Sequence, residues 1–380
     1  MKLLHLFSNR RWTGPAEPVV NLVSALHHAG WDVTLSFGQE RSGFKDGIRQ
    51  NAQKQGISIR TGLSLQKHGN LLLDYLDSRR LRRWLRDDCF DVVHAHLRNA
   101  HVISALATRP MAVKPLIIRT CYAGDGPGGG RDRLLLQRFT DGLIVVSELA
   151  RRKAIKQFGF PPDRVWCVHT PIDMDRFNPH RGLGNRRAEF GIDRHAFVVG
   201  IIARIQWRRR YDVFIEAIGR ARRKLPNLRA IIVGRGTHMK PIALDPIKRM
   251  ELNDVILLPG YQKGDDFVRT ISTMDVKVYL VPGTDGSCRA VREAMAMKVP
   301  VIAARRGILP ELLGDGQRGL LIEDSPENLA NAILKMAHDP GARQQISRRA
   351  RQYAVDNFAL NRQADIVGEI YNSLAKRGKR

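Results

Sequence analysis

Long apolar runs and paired cysteines are both missing from this sequence. No stretch approaches the roughly 18 consecutive apolar residues that a membrane-spanning helix needs. The first residues form a short apolar run that a histidine and then arginines interrupt, which is not the pattern of a secretory signal peptide. We therefore expect a cytoplasmic protein. Four cysteines are present, without a Cys-x-x-Cys pair or the spacing of a zinc site or disulfide framework, and are expected to be reduced thiols: Cys89, Cys121, Cys167 and Cys288.

Acidic residues are scarce relative to basic ones. The 380 residues include 63 Lys and Arg against 37 Asp and Glu, which gives a formal net charge of +26. This excess predicts an anionic partner: nucleic acid, an anionic membrane surface or a phosphorylated substrate would each satisfy it. Helix-turn-helix, zinc-finger and RNA-recognition patterns are absent from the sequence, so we expect no nucleic acid partner.

The densest basic cluster is SRRLRRWLR at residues 78–86, where Leu81, Trp84 and Leu85 stand among five arginines. On a helix, this segment either lies on a membrane surface or presents a solvated basic face while its apolar side chains pack inward. The sequence leaves both possibilities open. The five arginines are Arg79, Arg80, Arg82, Arg83 and Arg86.

Apolar β-type segments alternate with helical segments in two successive series. Apolar strands joined by helices indicate parallel sheets covered on both faces, and the chain is too long for one typical core. We predict an α/β protein with two doubly wound, Rossmann-like domains facing a central cleft, joined by a turn-rich linker at 171–192 and followed by helices from Pro326. The predicted strands are 2–7, 32–37, 57–61, 91–96, 115–120, 142–147 and 164–170, then 197–203, 229–234, 255–260, 275–281, 300–304 and 319–323.

The segment GTDGSCRAVREAMAMKVPVIAA, residues 283–304, places a glycine-bearing loop before a helix. Backbone N–H groups at a helix N-terminus bind anions. Asp285 and Glu293, with seven residues between them, would then accept hydrogen bonds from sugar hydroxyls on either side of a phosphate. Alternatively, Asp285 forms a turn and Glu293 is a solvated helix position. The predicted backbone donors belong to Gly286, Ser287, Cys288 and Arg289.

The order of these motifs resembles the retaining glycosyltransferases of family four, which have the GT-B fold, over nearly the whole chain. The most specific element is the acidic-x7-acidic signature followed by AMAMKVPVIAARRGILPELL, although the family usually has Glu where this chain has Asp285. TGPAE at 13–17 resembles the Gly-Gly-x-Glu loop of the family. GIIARIQWRRRYDVFIEAI at 200–218 resembles its Arg-x4-Lys-Gly segment, which grips the donor diphosphate.

The resemblance implies roles for particular residues. Arg204 matches the arginine of that segment and Arg209 replaces its lysine; both would stabilise charge on the leaving diphosphate, so that no metal cofactor is expected. Tyr122 stands where the family often has a histidine near the transferred sugar, and either holds that position or leaves the contact unmade. His96 either faces the cleft or belongs to the core. The donor-binding residues implied in addition are Gly14, Gly234, Gly260 and Tyr261.

The resemblance also implies a reaction and a domain plan. We expect transfer of a sugar from a UDP-, GDP- or ADP-sugar, with retention, to a glycan or lipid-linked saccharide such as a lipopolysaccharide core intermediate. The enzyme would be peripheral on the inner face of the cytoplasmic membrane, with cell-envelope polysaccharide as its product. Residues 1–175 would bind the acceptor, with a helix at 360–380 packing back on them, and residues 176–359 would bind the donor. The alternatives are a nucleotide-sugar epimerase of the same fold and an inactive relative that only binds a sugar nucleotide.

Overall fold

The chain divides into two compact units. Among the described residues, the first comprises 1–171 and the C-terminal segment from Leu360, and the second comprises 172–281 and 288–359. At the start of the second unit, the Ile172 N–H donates to the Phe358 carbonyl at 2.7 Å. The computed structural model describes residues 1–12, 14–39, 47–281 and 288–378.

The first unit is built on a seven-stranded sheet whose described strand pairs are all parallel. All seven predicted strands are present, although the one predicted at 57–61 contains only two residues. The strands are β1 (Lys2–Phe7), β2 (Asp32–Phe37), β3 (Ser58–Ile59), β4 (Val92–His96), β5 (Leu116–Cys121), β6 (Gly142–Val145) and β7 (Val165–Cys167). Their spatial order is β3-β2-β1-β4-β5-β6-β7, so the winding direction reverses between β1 and β4.

Helices connect these strands, and their ends follow local sequence signals. The Asn70 and Ser147 side chains each accept a hydrogen bond from a backbone N–H of the helix that follows them. Gly159, in the left-handed conformation, ends the last of these helices. The helices are α1 (Ala16–His28), α2 (Ile48–Lys54), α3 (Leu71–Asp87), α4 (Arg98–Thr108), α5 (Gly130–Phe139) and α6 (Glu148–Phe158).

The second unit contains a six-stranded sheet, and its described strand pairs are again parallel. All six strands predicted for this half are present. They are β8 (Phe197–Ile202), β9 (Leu228–Val233), β10 (Ile256–Gly260), β11 (Val276–Tyr279), β12 (Val301–Ala304) and β13 (Leu320–Ile322). The spatial order is β10-β9-β8-β11-β12-β13, which places the winding reversal between β8 and β11. Two buried apolar clusters cover the sheet. The predicted pair of doubly wound domains is thus confirmed.

The helices of the second unit pack on both faces of its sheet. They are α7 (Tyr211–Arg222), α8 (Asp245–Arg249), α9 (Gly264–Ser272), α10 (Arg289–Ala296), α11 (Leu309–Leu312), α12 (Pro326–His338) and α13 (Pro340–Phe358). A final helix, α14 (Leu360–Gly378), belongs to the first unit and packs against α1. Gly368 lets α14 approach Trp31, which follows α1, because a Cβ at Gly368 would lie 2.8 Å from the Trp31 ring. Across the described ranges, no helix combines the length and apolarity needed to cross a membrane.

Candidate functional site

Arg204 lies on the loop that follows β8, at the carboxyl edge of the second sheet. Backbone hydrogen bonds hold this loop as they would hold a strand. The Ala203 N–H donates to the Val233 carbonyl, and the Ile205 N–H donates to the Arg235 carbonyl, both at 3.1 Å. These bonds extend the pairing of β8 and β9 beyond the strands themselves. Arg204 lies between the two donors and is exposed. Its guanidinium is therefore carried on fixed backbone at the edge where doubly wound sheets bind ligands.

Glycines permit the close approach of these two loops. A Cβ at Gly234 would lie 2.1 Å from the Ala203 carbonyl oxygen, and a Cβ at Gly236 would lie 2.0 Å from the Ile205 carbonyl oxygen. No side chain fits at such distances. The Gly-x-Gly pattern at 234–236 thus has a packing role that fixes the Arg204 loop.

Gly260 and Tyr261 lie beside the same loops. The Gly260 carbonyl accepts a hydrogen bond from the Gly234 N–H at 3.0 Å, and the Gly260 backbone is left-handed, with φ of 76°. Tyr261 is exposed, with the Arg235 guanidinium 4.8 Å and the Lys263 ammonium 5.8 Å from its ring centroid. The structure thus brings together the predicted donor residues Arg204, Gly234, Gly260 and Tyr261.

Arg209 and Arg210 follow Arg204 in the same connection between β8 and α7. Arg209 is half-buried and donates to the Val281 carbonyl at 2.7 Å. Arg210 has φ of 56°, a left-handed conformation that glycine would adopt at no steric cost. Its guanidinium donates to the buried Asp324 carboxylate at 2.8 Å, and Arg306 binds the same oxygen. Arg210 is thus a paired structural cation rather than a free surface charge.

The N-terminus of α10 is the predicted anion site. Asp285, Gly286 and Ser287 lie outside the described residues, so their predicted roles stay predictions. Cys288 is fully buried and has φ of 48°, a left-handed conformation that costs a non-glycine residue roughly 1–2 kcal/mol. Arg289 begins the helix.

Glu293 is buried on α10, with 3% of its surface exposed. Its carboxylate accepts a hydrogen bond from the Arg289 guanidinium at 2.8 Å, so these two residues form an i,i+4 ion pair. The alternative of a solvated helix position is therefore wrong for Glu293. A buried carboxylate held by a half-buried arginine is pre-oriented.

Lys277 is the residue in this region that sequence reasoning missed. It lies in the middle of β11, is fully buried, and donates from Nζ to the Ala290 carbonyl at 2.5 Å. Burial lowers the pKa of the Lys277 amine to about 8, and the charge of nearby Glu293 opposes that effect. The sequence feature that could have identified this residue is a lysine inside the otherwise apolar run VKVYLV. Lys277, Glu293 and Arg289 thus form a group of two cations around one carboxylate.

In the first unit, the predicted residues lie along β1, β4 and β5. Gly14 is exposed just before α1, and a Cβ built there would meet no atom within 4 Å. His96, at the end of β4, is fully buried, and its Nδ1 lies 2.9 Å from the hydroxyl of the half-buried Tyr122. His96 and Tyr122 are thus in contact.

His96 belongs to a larger polar cluster that the sequence analysis did not predict. His5, His94 and His96 are all fully buried, and their ligand-type nitrogens lie within 4.8 Å of one another. Burial lowers the pKa of His5 to about 3 and holds the pKa of His94 and His96 well below the ordinary value of 6.5. All three rings are therefore neutral at pH 7. Such nitrogens can ligate a metal, but all six of them already have hydrogen-bond partners: one another's nitrogens and the hydroxyls of Tyr371, Thr120 and Tyr122.

Two units of this kind, each with a parallel, doubly wound sheet, make up the GT-B fold. A glycosyltransferase from Rickettsia africae has the same fold, with a TM-score of 0.82 at 16% identity, over 99% of both chains. Anabaena HepE, solved in complex with UDP, gives a TM-score of 0.80 at 18% identity over 98% of this chain and 100% of that one.

Two family models place the chain more closely. The model described as Glycosyltransferase Family 4 matches residues 13–176, and the model described as Glycosyl transferases group 1 matches residues 184–353. The chain belongs to this glycosyltransferase family. The D-inositol 3-phosphate glycosyltransferase of Saccharomonospora viridis is 28% identical over 306 residues, which is 76% of this chain and 66% of that protein. The chain spans just under two thirds of the length of this curated relative.

The buried ion group predicts a stability cost for Glu293→Gln. The substitution removes the carboxylate that accepts from Arg289 and whose charge favours the Lys277 ammonium, so the free energy of unfolding at pH 7 should fall by about 1–3 kcal/mol. Urea unfolding would measure it. Adding Lys277→Met should restore most of the loss. The control, Glu216→Gln, breaks the exposed i,i+4 pair with Arg220 and should cost less than about 1 kcal/mol. Equal costs in the two single variants would contradict the buried group.

The neutral histidines predict acid sensitivity. His5, His94, His96 and the equally buried His101, whose pKa burial lowers to about 3, stay neutral in the folded chain. The unfolded chain protonates them below about 6.5, so it binds more protons, and stability should fall as the pH drops from about 6.5 toward 3. Each histidine contributes about 1.4 kcal/mol per pH unit.

Urea unfolding between pH 7 and pH 5 would measure this slope. His101→Gln should reduce it by about one proton, and His68→Gln, which changes an exposed ring, should leave it unchanged. Stability that stays constant over this range would show that the buried rings already carry protons.

Proposed function

We propose that this chain transfers a sugar, with retention of anomeric configuration, from a nucleotide-sugar to an anionic acceptor. The acceptor is a phosphorylated or lipid-linked saccharide of the cell envelope, such as a lipopolysaccharide intermediate, at the inner face of the cytoplasmic membrane. Family membership supports the reaction. The observation that carries the choice of acceptor is a basic groove in the first unit, which is bordered by an exposed apolar helix turn.

The second unit supports the donor assignment. Arg204 stands exposed on a fixed loop, and Arg209 follows five residues later on the same loop. One guanidinium can donate two parallel hydrogen bonds to phosphate oxygens. Where guanidiniums supply the positive charge, no metal ion is needed to stabilise the phosphate. Tyr261 offers an exposed aromatic face at the same edge. Because HepE was solved with UDP, a UDP-sugar is the donor we test first.

The groove lies at the carboxyl ends of β1, β2 and β3 and has a volume of about 790 Å³. Four of its ten described lining residues are basic and none is acidic. Within the described chain, Arg10, Arg11 and Lys67 form no ion pair, so their charges are available to a ligand. The described lining consists of Asn9, Arg10, Arg11, Gln39, Ser64, Leu65, Gln66, Lys67, His68 and Leu73.

The walls of the groove are held by buried polar groups. The Asp77 carboxylate, 1% exposed, accepts hydrogen bonds from the Ser64 and Leu65 N–H groups, each at 2.9 Å. Gly38 lets the loops meet, because a Cβ there would lie 2.8 Å from the Leu65 carbonyl oxygen and 2.9 Å from the Asn9 carbonyl carbon. A pre-formed basic groove suits a phosphate. The Saccharomonospora relative is named for a phosphorylated acceptor, which supports the same class of acceptor here.

Helix α3 supports attachment to a membrane. Its first two turns expose a contiguous apolar patch: Leu71, Leu72, Tyr75 and Leu76. Leu71 is 94% exposed. Leu81 and Leu85 are buried and Trp84 is half-buried, so within 78–86 the apolar residues pack inward and the exposed face is basic.

Three of the five arginines of 78–86, namely Arg79, Arg83 and Arg86, are exposed and available to anionic headgroups. Arg80 is exposed but donates to the Gly62 carbonyl at 3.0 Å. Arg82 is half-buried and donates to the Leu106 and Ala107 carbonyls at the end of α4, so it is excluded from the set. An apolar patch beside a basic stripe is typical of interfacial helices. Because Leu73 of this helix lines the groove, a lipid-linked acceptor held at the patch would have its phosphate near the basic loops. The exposed arginines are Arg79, Arg80, Arg83 and Arg86.

Donor binding is tested by calorimetry with UDP in the presence of EDTA. Arg204→Ala and Arg209→Ala should each weaken binding by roughly 1.5–3 kcal/mol, the range for hydrogen bonds to charged groups. Arg208→Ala, which changes the exposed neighbour, should leave affinity unchanged. A transfer assay with UDP-glucose would then follow sugar incorporation and anomeric configuration. Wild-type UDP affinity in both alanine variants, or binding that requires added magnesium, would refute this donor site.

Membrane binding is tested with vesicles of neutral and anionic lipid. Binding to anionic vesicles should fall steeply as salt rises, because each basic residue contributes about 1 kcal/mol at low ionic strength. Replacing Arg79, Arg83 and Arg86 with glutamine should weaken it about a hundredfold. Leu71→Ser with Leu72→Ser should weaken it about tenfold.

The control for the vesicle series is Arg82→Gln, which removes an arginine that faces helix α4 and should change vesicle binding little. UDP binding should stay intact in all these variants. Equal affinity for neutral and anionic vesicles, or no vesicle binding at low salt, would leave a soluble phosphorylated saccharide as the acceptor.

A further inference from the structure

Six side chains of the first unit form one continuous line of hydrogen bonds. The line begins at the Thr120 hydroxyl, which lies 2.7 Å from His94 Nε2, and His94 Nδ1 lies 2.6 Å from the Tyr371 hydroxyl. That hydroxyl is 3.3 Å from His5 Nε2. The line continues from His5 Nδ1 to His96 Nε2 at 3.0 Å, and from His96 Nδ1 to the Tyr122 hydroxyl at 2.9 Å.

Strand register explains how these residues meet. His5 pairs with His94 across β1 and β4, and His96 pairs with Thr120 across β4 and β5. Because side chains alternate along a strand, residues two apart share a face of the sheet. Tyr371 of α14 reaches the same face. Thr120, the penultimate residue of β5, is buried at one end of the line. Tyr122 follows the strand at the carboxyl edge and is half-buried at the other end.

Each histidine is neutral and carries one proton, and each hydroxyl carries one, so six protons serve five hydrogen bonds. Three arrangements make all five bonds. In one, Tyr371 accepts from both His94 and His5, and its own proton is left over; because Tyr371 is fully buried, this proton would be an unsatisfied donor, and the arrangement is disfavoured. Two arrangements remain. If every donor points toward Tyr122, all three histidines carry their proton on Nδ1 and the Tyr122 proton is left to point outward. If every donor points toward Thr120, all three carry it on Nε2 and the Thr120 proton is left over.

The two arrangements differ in what they leave buried. Thr120 is 5% exposed and has no second hydrogen-bond partner among the described residues. A leftover Thr120 proton would be a buried unsatisfied donor, which costs roughly 1–3 kcal/mol. A leftover Tyr122 proton lies at the half-buried end of the line, at the sheet edge. The first arrangement is therefore favoured.

We propose that the line from Thr120 to Tyr122 is proton-ordered, with all three histidines protonated on Nδ1, so that the Tyr122 hydroxyl is a hydrogen-bond donor to an oxygen of the bound sugar. The contact with sugar rests on the proposed function, whereas the proton order does not. Tyr122 is the residue that touches the ligand. Thr120, His94, Tyr371, His5 and His96 position its proton.

A metal ion explains the cluster less well. Coordination by His5, His94 and His96 would break bonds that now satisfy all six ring nitrogens. The His94 and His96 rings are stacked, with centroids 4.3 Å apart and an angle of 21° between their planes, rather than converging on one point. All three rings are also sealed from solvent.

The first test is nitrogen NMR of the histidine-labelled full chain, without ligand, at pH 7. We expect neutral rings at His5, His94 and His96, each with its proton on Nδ1. An Nε2 proton on any of the three, or a positively charged ring, overturns the proposal. Added zinc ions should leave these three signals in place, and their displacement by zinc would show a metal site instead. This test needs neither an active enzyme nor a substitution.

The second test separates the sugar from the nucleotide. The ratio of the UDP-glucose affinity to the UDP affinity should fall about fivefold in Tyr122→Phe, because one neutral hydrogen bond contributes about 1 kcal/mol. Tyr371→Phe touches no ligand but cuts the line between His94 and His5, so it should lower the same ratio while leaving UDP affinity unchanged. Combined with Tyr122→Phe, it should add nothing further.

The control is Thr140→Val, which removes a hydroxyl from another buried histidine, His101, outside the line. It should change neither affinity. Additive effects of the two tyrosine variants, or an equal loss of UDP affinity in Tyr371→Phe, would mean that Tyr371 acts only on the fold and would overturn the proposal. If the wild-type chain does not bind UDP-glucose at all, the donor assignment fails, and the NMR result alone decides the proton order.

Discussion

Both sheets of this protein are covered on both faces, so a polar side chain inside a strand must find its partners within the protein. Each unsatisfied buried group costs roughly 1–3 kcal/mol, and an uncompensated charge costs more. Lys277 meets this demand through the Ala290 carbonyl and the nearby Glu293. The histidines of β1 and β4 meet it through one another and through hydroxyls. The same constraint thus produces an ion group in one unit and a neutral hydrogen-bond line in the other.

The two solutions differ because their chemistry differs. A lysine retains its proton until about pH 8 even when buried, so it needs a carboxylate nearby. Imidazole gives up its proton at little cost and then offers one donor and one acceptor, which lets rings bond in series. In such a series all hydrogen bonds can point the same way, and this direction determines whether the end group donates a proton or accepts one. A buried ion group has no such property: it fixes the position of Glu293 but transmits nothing along a strand.

The fold could be predicted from the sequence because its signal is local. Apolar runs of five to seven residues indicated all thirteen strands, although β3 and β7, the edge strands of the first sheet, contain only two and three residues. Several contacts of the candidate sites are not local. His94 and Tyr371 are 277 positions apart, and Arg210 and Asp324 are 114 apart. Their pairing depends on how helices return to a sheet, which no periodicity records. Lys277 and the His-x-His of β4 can be recognised in the sequence as polar residues in apolar strands. The sequence does not identify their partners.

Whether a basic side chain is available to a ligand depends on its position in the fold rather than on its cluster in the sequence. Arginines that look alike in the run 78–86 differ once the helix forms: Arg82 satisfies carbonyls at the end of α4, while Arg79 and Arg83 stay in solvent. Likewise, Arg210 neutralises a buried aspartate, whereas Arg204, six residues before it, is exposed on a fixed loop. A cation that neutralises a buried carboxylate cannot also bind a ligand without exposing that carboxylate. The cations proposed to bind an anionic substrate are of another kind: Arg204 is exposed, and Arg209 uses one of its five N–H donors on the Val281 carbonyl. They lie at the carboxyl edge of the second sheet, as the exposed cations of the groove lie at that of the first.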